Sequence, residues 1–293
     1  LDSLKWEVRP LPLGVGSSLK LLEHGASIEE IKVDLFDNKH KPNYINTMYK
    51  NANAFIFAVN GCRLDVVKLF LENGVDVNVC VDDSPLMWAC NAEITKLLLD
   101  AEVDINYRNS RGQTALLQDV YCGKFIIDKI KILIEAGADV NIGNYRGVTP
   151  LMKMCDVGDF ECVKLLIDAG ANVNAKSYDN NTPLQNAIDS NNLDIIKLLL
   201  EQGADVNITR NYRRGYSSLH LSAQKGNVEI VKLLLDYGAD KSIASNFIEN
   251  KIYQTALDIA KEKNHTEVAE LLENYKGGDV VTFHGVKFQR VID

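Results

Sequence analysis

Five histidines and six cysteines are the residues of this chain best suited to hold a metal, carry a proton or attack an electrophile. His24, His40, His220, His265 and His284 are scattered, and none has a Cys or Asp partner at ligand spacing. The cysteines are Cys62, Cys80, Cys90, Cys122, Cys155 and Cys162, with no C-x-x-C pair among them. Cys90 and Cys155 fall at the same place in two copies of a repeating segment, so buried core thiols are expected rather than a metal or disulfide set. That usage points weakly to a reducing compartment. No G-x-S-x-G, phosphate-binding loop, dinucleotide fingerprint or H-E-x-x-H occurs. Carboxylates working as an acid/base pair would be unique to one place. Here Asp and Asn recur at a fixed interval, which makes them turn formers. No catalytic residue, metal or cofactor is expected, and the chain is not expected to be an enzyme.

The interval is the informative feature. Gly137-Ala138-Asp139-Val140-Asn141 recurs as Gly170-Ala171-Asn172-Val173-Asn174 and Gly203-Ala204-Asp205-Val206-Asn207. Looser copies begin at Gly74, Glu102 and Gly238, and a divergent one at Gly25. Successive copies are 49, 28, 35, 33, 33 and 35 residues apart. A period near 33 means stacked units that bury a strip between neighbours, in place of one closed core.

Within one unit, from Asn144 to Ala175, Thr149 can cap a first helix and Pro150 can start it, where a missing N–H costs nothing. Gly158 ends that helix. Cys162-Val163-Lys164-Leu165-Leu166-Ile167 opens the apolar stripe of a second helix, which Gly170 terminates. The unit reads helix, turn, helix, projecting loop. The copy from Ser84 to Glu102 is short, with 18 residues where Thr149 to Gly170 has 21, and Glu102 replaces the terminating Gly. A clipped inner turn that loosens the stack is expected there. The copy opened by Thr114 is longer, two extra residues lengthen the loop through Tyr212-Arg213-Arg214, and a surface excursion lies between Gly25 and Asn53.

These units resemble the ankyrin repeat. Its T-P-L-H-x-A signature is matched by Thr182-Pro183-Leu184-Gln185-Asn186-Ala187, Thr149-Pro150-Leu151-Met152, Ser84-Pro85-Leu86-Met87-Trp88-Ala89 and Ser217-Ser218-Leu219-His220. The second-helix signature is matched by Asp65-Val66-Val67-Lys68-Leu69-Phe70-Leu71, Asp194-Ile195-Ile196-Lys197-Leu198-Leu199-Leu200 and Glu229-Ile230-Val231-Lys232-Leu233-Leu234-Leu235. The resemblance implies an all-α ankyrin solenoid of helix-turn-helix units with projecting hairpin loops, curved, with a concave face. Seven to eight repeats over 17–275 are expected, the first divergent and carrying an insertion at about 31–50. An extended, proline-containing segment would fill 1–16. A tail, 276–293, reads as two short strands around His284-Gly285 that either pack as a β-hairpin or fray.

The resemblance also implies where a partner would bind, because the family lines its groove with hairpin tips and the exposed face of the first helix. Carried over, the tips are Ser110-Arg111, Tyr145-Arg146, Tyr178-Asp179 and Arg213-Arg214, with Tyr216 before a helix cap and Tyr121 on a helix. The candidate partner-binding residues are therefore Arg111, Tyr121, Tyr145, Arg146, Tyr178, Asp179, Arg213, Arg214 and Tyr216. Tyr and Arg are the types enriched at interface hot spots. The four arginines make a basic strip that suits carboxylates or phosphates on a partner. His220 would bond the neighbouring turn. Family members can be hydroxylated on the hairpin asparagine when Leu lies eight residues upstream. Leu199 and Asn207 fit, which makes Asn207 a candidate for that modification, against a plain turn-bridging role.

A formal net charge of −8 argues against general nucleic-acid binding. No apolar run approaches the roughly 18 residues of a membrane span. The expected function is non-catalytic recognition of a protein by a cytoplasmic monomer. Two alternatives stand beside it: a microbial or viral effector acting on a host protein in the host cytosol, and the ankyrin region of a larger channel or enzyme. Leu1, not Met, opens the chain, so a fragment or processed product is expected.

Overall fold

The computed structural model describes residues 51–78, 80, 82–118, 126–211, 215–245, 253–276, 281–283 and 286–288. The expected extended segment at 1–16, the divergent first repeat and the excursion at 31–50 lie outside them. The chain divides into two compact units, Leu1–Ser110 and Arg111–Asp293.

In the first unit, α1 (Asn51–Asn60) and α2 (Leu64–Glu72) form one helix pair, and α3 (Pro85–Trp88) and α4 (Ala92–Asp100) the next. α1 packs on α3 and α2 on α4, which gives two layers. Val66, Val67, Leu69 and Phe70 of α2 are buried, at the i, i+1, i+3, i+4 spacing of a helix face. Phe70 meets Phe55 edge to face at 5.6 Å. The clipped unit is as the spacing requires: α3 has 4 residues where its counterpart α7 (Pro150–Val157) has 8. Glu102 holds φ +60°, where Gly137, Gly170 and Gly203 hold φ +91°, +86° and +85°. A left-handed Glu costs about 1 kcal/mol, so the clipped repeat departs from ideal geometry at both its inner turn and its outer end.

The cysteine expectation fails here. Cys62 and Cys90 form a disulfide across a Cα–Cα distance of 5.9 Å. Because α3 ends at Trp88, Cys90 is not on the buried helix position that Cys155 occupies; it falls in the turn after the helix, next to the preceding turn. Cys155 and Cys162 are buried thiols, as expected.

In the second unit the pairs are α5 (Ala115–Gln118) with α6 (Ile126–Glu135), α7 with α8 (Phe160–Asp168), α9 (Pro183–Asp189) with α10 (Leu193–Glu201), α11 (Ser218–Lys225) with α12 (Val228–Asp236), and α13 (Ala256–Glu262) with α14 (Thr266–Asn274). The first helices pack in series, α5 to α13, and the second helices in a parallel series, α6 to α14. The apolar stripes set this arrangement. Ile195, Ile196, Leu199 and Leu200 of α10 are buried, as are Ile230, Val231, Leu234 and Leu235 of α12. Each fully buried Leu or Ile stabilises by roughly 2 kcal/mol.

Local signals fix the helix ends. Thr149 accepts from the Met152 N–H, Pro150 follows it, and Gly158 closes the helix at φ +81°. Thr182 with Gln185, Ser217 with His220 and Thr255 with Asp258 each form a reciprocal capping box. The last helix is closed from outside itself: Lys241 Nζ donates to the Leu272 and Tyr275 carbonyls, at 3.1 and 3.0 Å. The Tyr275 hydroxyl donates to Asp236 at 2.6 Å. A polar outer flank on α14, with Glu267, Glu270 and Glu273 exposed, suits a terminal repeat. Beyond it, β1 (Val281–Phe283) pairs antiparallel with β2 (Val286–Phe288), with Val281 opposite Phe288 and Phe283 opposite Val286.

Candidate partner-binding surface

Successive hairpin tips are built alike. The Asn144 carbonyl accepts from Gly147 N at 2.8 Å, and its side chain accepts from Arg146 N and Val148 N at 2.9 and 3.1 Å. That turn leaves Tyr145 and Arg146 at its apex. In the next repeat the Ser177 carbonyl accepts from Asn180 N at 2.8 Å, with Tyr178 and Asp179 at the apex. The apices are joined by main chain. Tyr145 N donates to Arg111 O at 3.2 Å, Tyr178 N to Arg146 O at 2.9 Å, and Asn211 N to Asp179 O at 2.9 Å. This ladder gives the tips one fixed register, so their side chains form a row with little ordering left to pay on binding. Gly112 is required for it: at φ +73°, an added Cβ would lie 2.8–2.9 Å from Tyr145 backbone and ring atoms.

Tyr145 and Tyr178 are 55% and 76% exposed, far more than apolar burial would leave them. Arg111, Arg146 and Asp179 are exposed beside them, as are Asp156, Asp189, Gln224 and Lys225 on or near the first helices. Lys153 pairs with Asp156 at 2.8 Å, and Lys225 Nζ donates to the Asp189 carbonyl at 3.0 Å. Tyr253, 65% exposed, lies in the loop just before α13. Tyr121, Arg213 and Arg214 lie outside the described residues.

Tyr216 does not join this row. It is 5% exposed, and its ring stacks on His220 at 5.4 Å and 8°. It sits directly before the capping Ser217, where the chain turns inward. His220 meets its expected role: one ring nitrogen bonds the Gln254 carbonyl at 3.0 Å, and the other takes the Ser217 N–H at 3.2 Å. Burial pushes its pKa down, so it is held as the neutral ring.

Sequence reasoning missed Arg210. Its guanidinium is buried beneath the tips and donates to Asn181 Oδ1 at 3.0 Å and to Asp189 Oδ2 at 2.6 Å. It ties one hairpin to the first helix of the preceding repeat. The signal for it was absent, since nothing in the spacing distinguishes Arg210 from a solvated loop arginine.

The hairpin asparagines bridge repeats. Asn174 Nδ2 donates to Gly203 O at 2.9 Å while its Oδ1 accepts from Asp205 N at 2.8 Å. Asn78, Asn141 and Asn207 repeat the pattern, Asn207 with Gly238 O and Asp240 N at 3.2 and 2.9 Å. None of the described thiols is poised to react: burial pushes Cys80 up to about 11, Cys162 up to about 12, and Cys155 higher still. Among the described residues, no group of three or more His, Cys, Asp or Glu could hold a metal, and no helix is long and apolar enough to cross a membrane.

Two layers of helices, with loops presented in register along one edge, define a helical repeat protein whose surface serves contact. Family models of ankyrin repeats match residues 23–109, 54–144 and 120–210, and a second ankyrin-repeat model matches 186–235. The chain belongs to the ankyrin-repeat family, whose domains generally mediate protein–protein interaction and are typically non-catalytic. An ankyrin repeat protein of Acanthamoeba polyphaga mimivirus is 35% identical over 85 residues, covering 26% of this chain and 52% of the relative. The chain thus spans about half the length of that curated relative.

Proposed function

We propose that this chain recognises a protein partner, without catalysis, through the row of hairpin tips and the adjoining first-helix face that the family uses as a concave groove. The observation that supports the reading is the main-chain ladder that links the successive tips Arg111, Tyr145-Arg146 and Tyr178-Asp179, whose side chains are all exposed. A pre-ordered Tyr/Arg row gains contact area at low entropic cost. The partner surface that suits the row is acidic or phosphorylated, and Arg213 and Arg214 extend the strip in this reading. The recognition domain spans 17–275 and acts as a monomer, in the cytoplasm. Asn207 stands as a hydroxylation candidate, read by intact mass after exposure to an asparaginyl hydroxylase.

A second reading, that the chain is an effector acting on a host protein, is favoured by the similarity to an ankyrin repeat protein of Acanthamoeba polyphaga mimivirus. It uses the same surface. The test is affinity capture from a lysate of the source or host cell. The intact chain is compared with one carrying Tyr145→Ala, Arg146→Ala, Arg213→Glu and Arg214→Glu. A partner held by the first, lost by the second and weakened by salt supports the reading; a partner held equally by both refutes it.

A further inference from the structure

We propose that Cys62 and Cys90 form a thiol-reversible staple that sets how firmly the short α3–α4 repeat holds to the α1–α2 repeat before it. The two cysteines stand at equivalent places in consecutive units. Cys62 directly precedes Arg63, the N-cap of α2, and Cys90 directly precedes Asn91, the N-cap of α4. In the second unit the same turns are linked by hydrogen bonds. Asn192 Nδ2 donates to Gly158 O at 3.1 Å, Asn227 Nδ2 to Asn191 Oδ1 at 3.0 Å, and a His265 ring nitrogen bonds Gln224 O at 3.1 Å. In the α3–α4 repeat the inner helix is only 4 residues long, and the covalent bond stands where those links stand elsewhere.

The backbone at Cys62 supports a selected role. It holds φ +56°, a left-handed turn position that Gly158 and Gly226 fill in other repeats at φ +81° and +73°. Asn191 and Asn264 also occupy it, and Asn tolerates that region better than Cys does. The Cα–Cα distance of 5.9 Å is within the range a disulfide spans without backbone movement.

Access makes the bond reversible. Cys62 is exposed and Cys90 half-buried, so a small monothiol reaches the bond from the Cys62 side. The thiolate of one glutathione attacks Cys62 Sγ, forms a mixed disulfide and expels Cys90 as a thiolate, which takes up a proton. A second glutathione thiolate attacks the glutathione sulfur of that mixed disulfide and releases Cys62, which is protonated in turn. Two thiols are oxidised to one glutathione disulfide, and one protein disulfide is reduced to two thiols. Oxidised glutathione runs the sequence backwards.

The staple closes a loop across a sequence separation of 28. Its removal is expected to speed amide exchange in α3 and α4 by roughly 10- to 100-fold, with the second unit unaffected. The experiment equilibrates the full chain in glutathione buffers of stepped thiol-to-disulfide ratio. Each sample is alkylated to count free Cys62 and Cys90 by mass, and hydrogen exchange is read over 85–100. The pair should titrate within the glutathione range, and exchange should rise as it opens. Cys62→Ser plus Cys90→Ser should exchange at the reduced rate in every buffer; if that variant does not fold, the redox series of the unmodified chain decides. Free thiols in fully oxidised glutathione, a bond that persists at every ratio, or exchange that ignores the redox state would each overturn the proposal.

Discussion

Replacing Arg210 by Met should loosen the α9–α11 region measurably, and the structure sets the size of the effect. The guanidinium makes two well-formed contacts, to Asn181 Oδ1 at 3.0 Å and Asp189 Oδ2 at 2.6 Å. Its contacts to Gln185, at 3.4 and 3.5 Å, are marginal. Hydrogen bonds to a charged group contribute about 1.5–3 kcal/mol when buried. The Arg210 side chain is 8% exposed, but Asp189 is 40% exposed, so water takes over much of the carboxylate's loss. That reduces the ion-pair share to about 1 kcal/mol. The Asn181 bond adds about 1.5 kcal/mol, because a part-buried acceptor is left unsatisfied. Met keeps most of the apolar stem volume, so the total is about 2–3 kcal/mol. Repeat proteins need not unfold in one step, so the readout is native-state hydrogen exchange in α9 and α10 and not a single melting midpoint. Since about 1.4 kcal/mol is tenfold in an equilibrium, exchange there should quicken roughly 30- to 150-fold. A change below about threefold would refute the view that a buried arginine ties the hairpin to the helix, and Asp189→Asn should cost less than Arg210→Met.

Asn174→Ala removes both inter-repeat bonds of that side chain and should cost about 1–2 kcal/mol, read by native-state hydrogen exchange in the flanking helices; a cost near zero would mean water replaces them fully. Gly170→Ala and Gly226→Ala separate strain from clash. Gly170, at φ +86° with open space around its missing Cβ, should cost about 1 kcal/mol. At Gly226 a Cβ would lie 2.5 Å from His265 Nδ1, so its bond to Gln224 O must also break, and Gly226→Ala should cost at least about 1 kcal/mol more in the same assay. His220 carries a pH signature. Burial holds its folded pKa below the ordinary histidine value of about 6.5, so the unfolded chain binds the extra proton first as pH falls. Stability is therefore full above about pH 6.5 and declines through the interval below it, down to the folded value. His220→Gln should remove that decline in the hydrogen-exchange protection of α11 at stepped pH, because Gln185 fills the equivalent place in another repeat and makes equivalent cap and turn contacts.

The repeat was legible in the sequence because each of its signals is local. Thr149, Pro150 and Gly158 fix a helix through their own capping, φ restriction and left-handed freedom, whatever lies beyond. The stripe of α10 chooses its buried face by spacing alone. Even the clipped unit and the left-handed Glu102 could be read from residue counts. The tip residues Tyr145, Arg146, Tyr178 and Asp179 came from the ankyrin resemblance, carried over position by position from one repeat to the next.

What the sequence could not supply is which side chains meet across neighbouring repeats. Tyr216 and Tyr178 are both polar aromatics near a hairpin, yet one stacks on His220 and the other stands in solvent. Arg210 is one of several loop arginines until folding brings Asn181, Gln185 and Asp189 around it. Cys90 aligns with the buried Cys155 by count, but a helix ended at Trp88 sends it to Cys62. The sequence by itself determined the unit, its period and its caps, because those depend on residues within about 30 positions and on backbone chemistry. The tertiary structure alone decided the staple, the buried guanidinium and the register of the tips, because each depends on distances between repeats that only stacking sets.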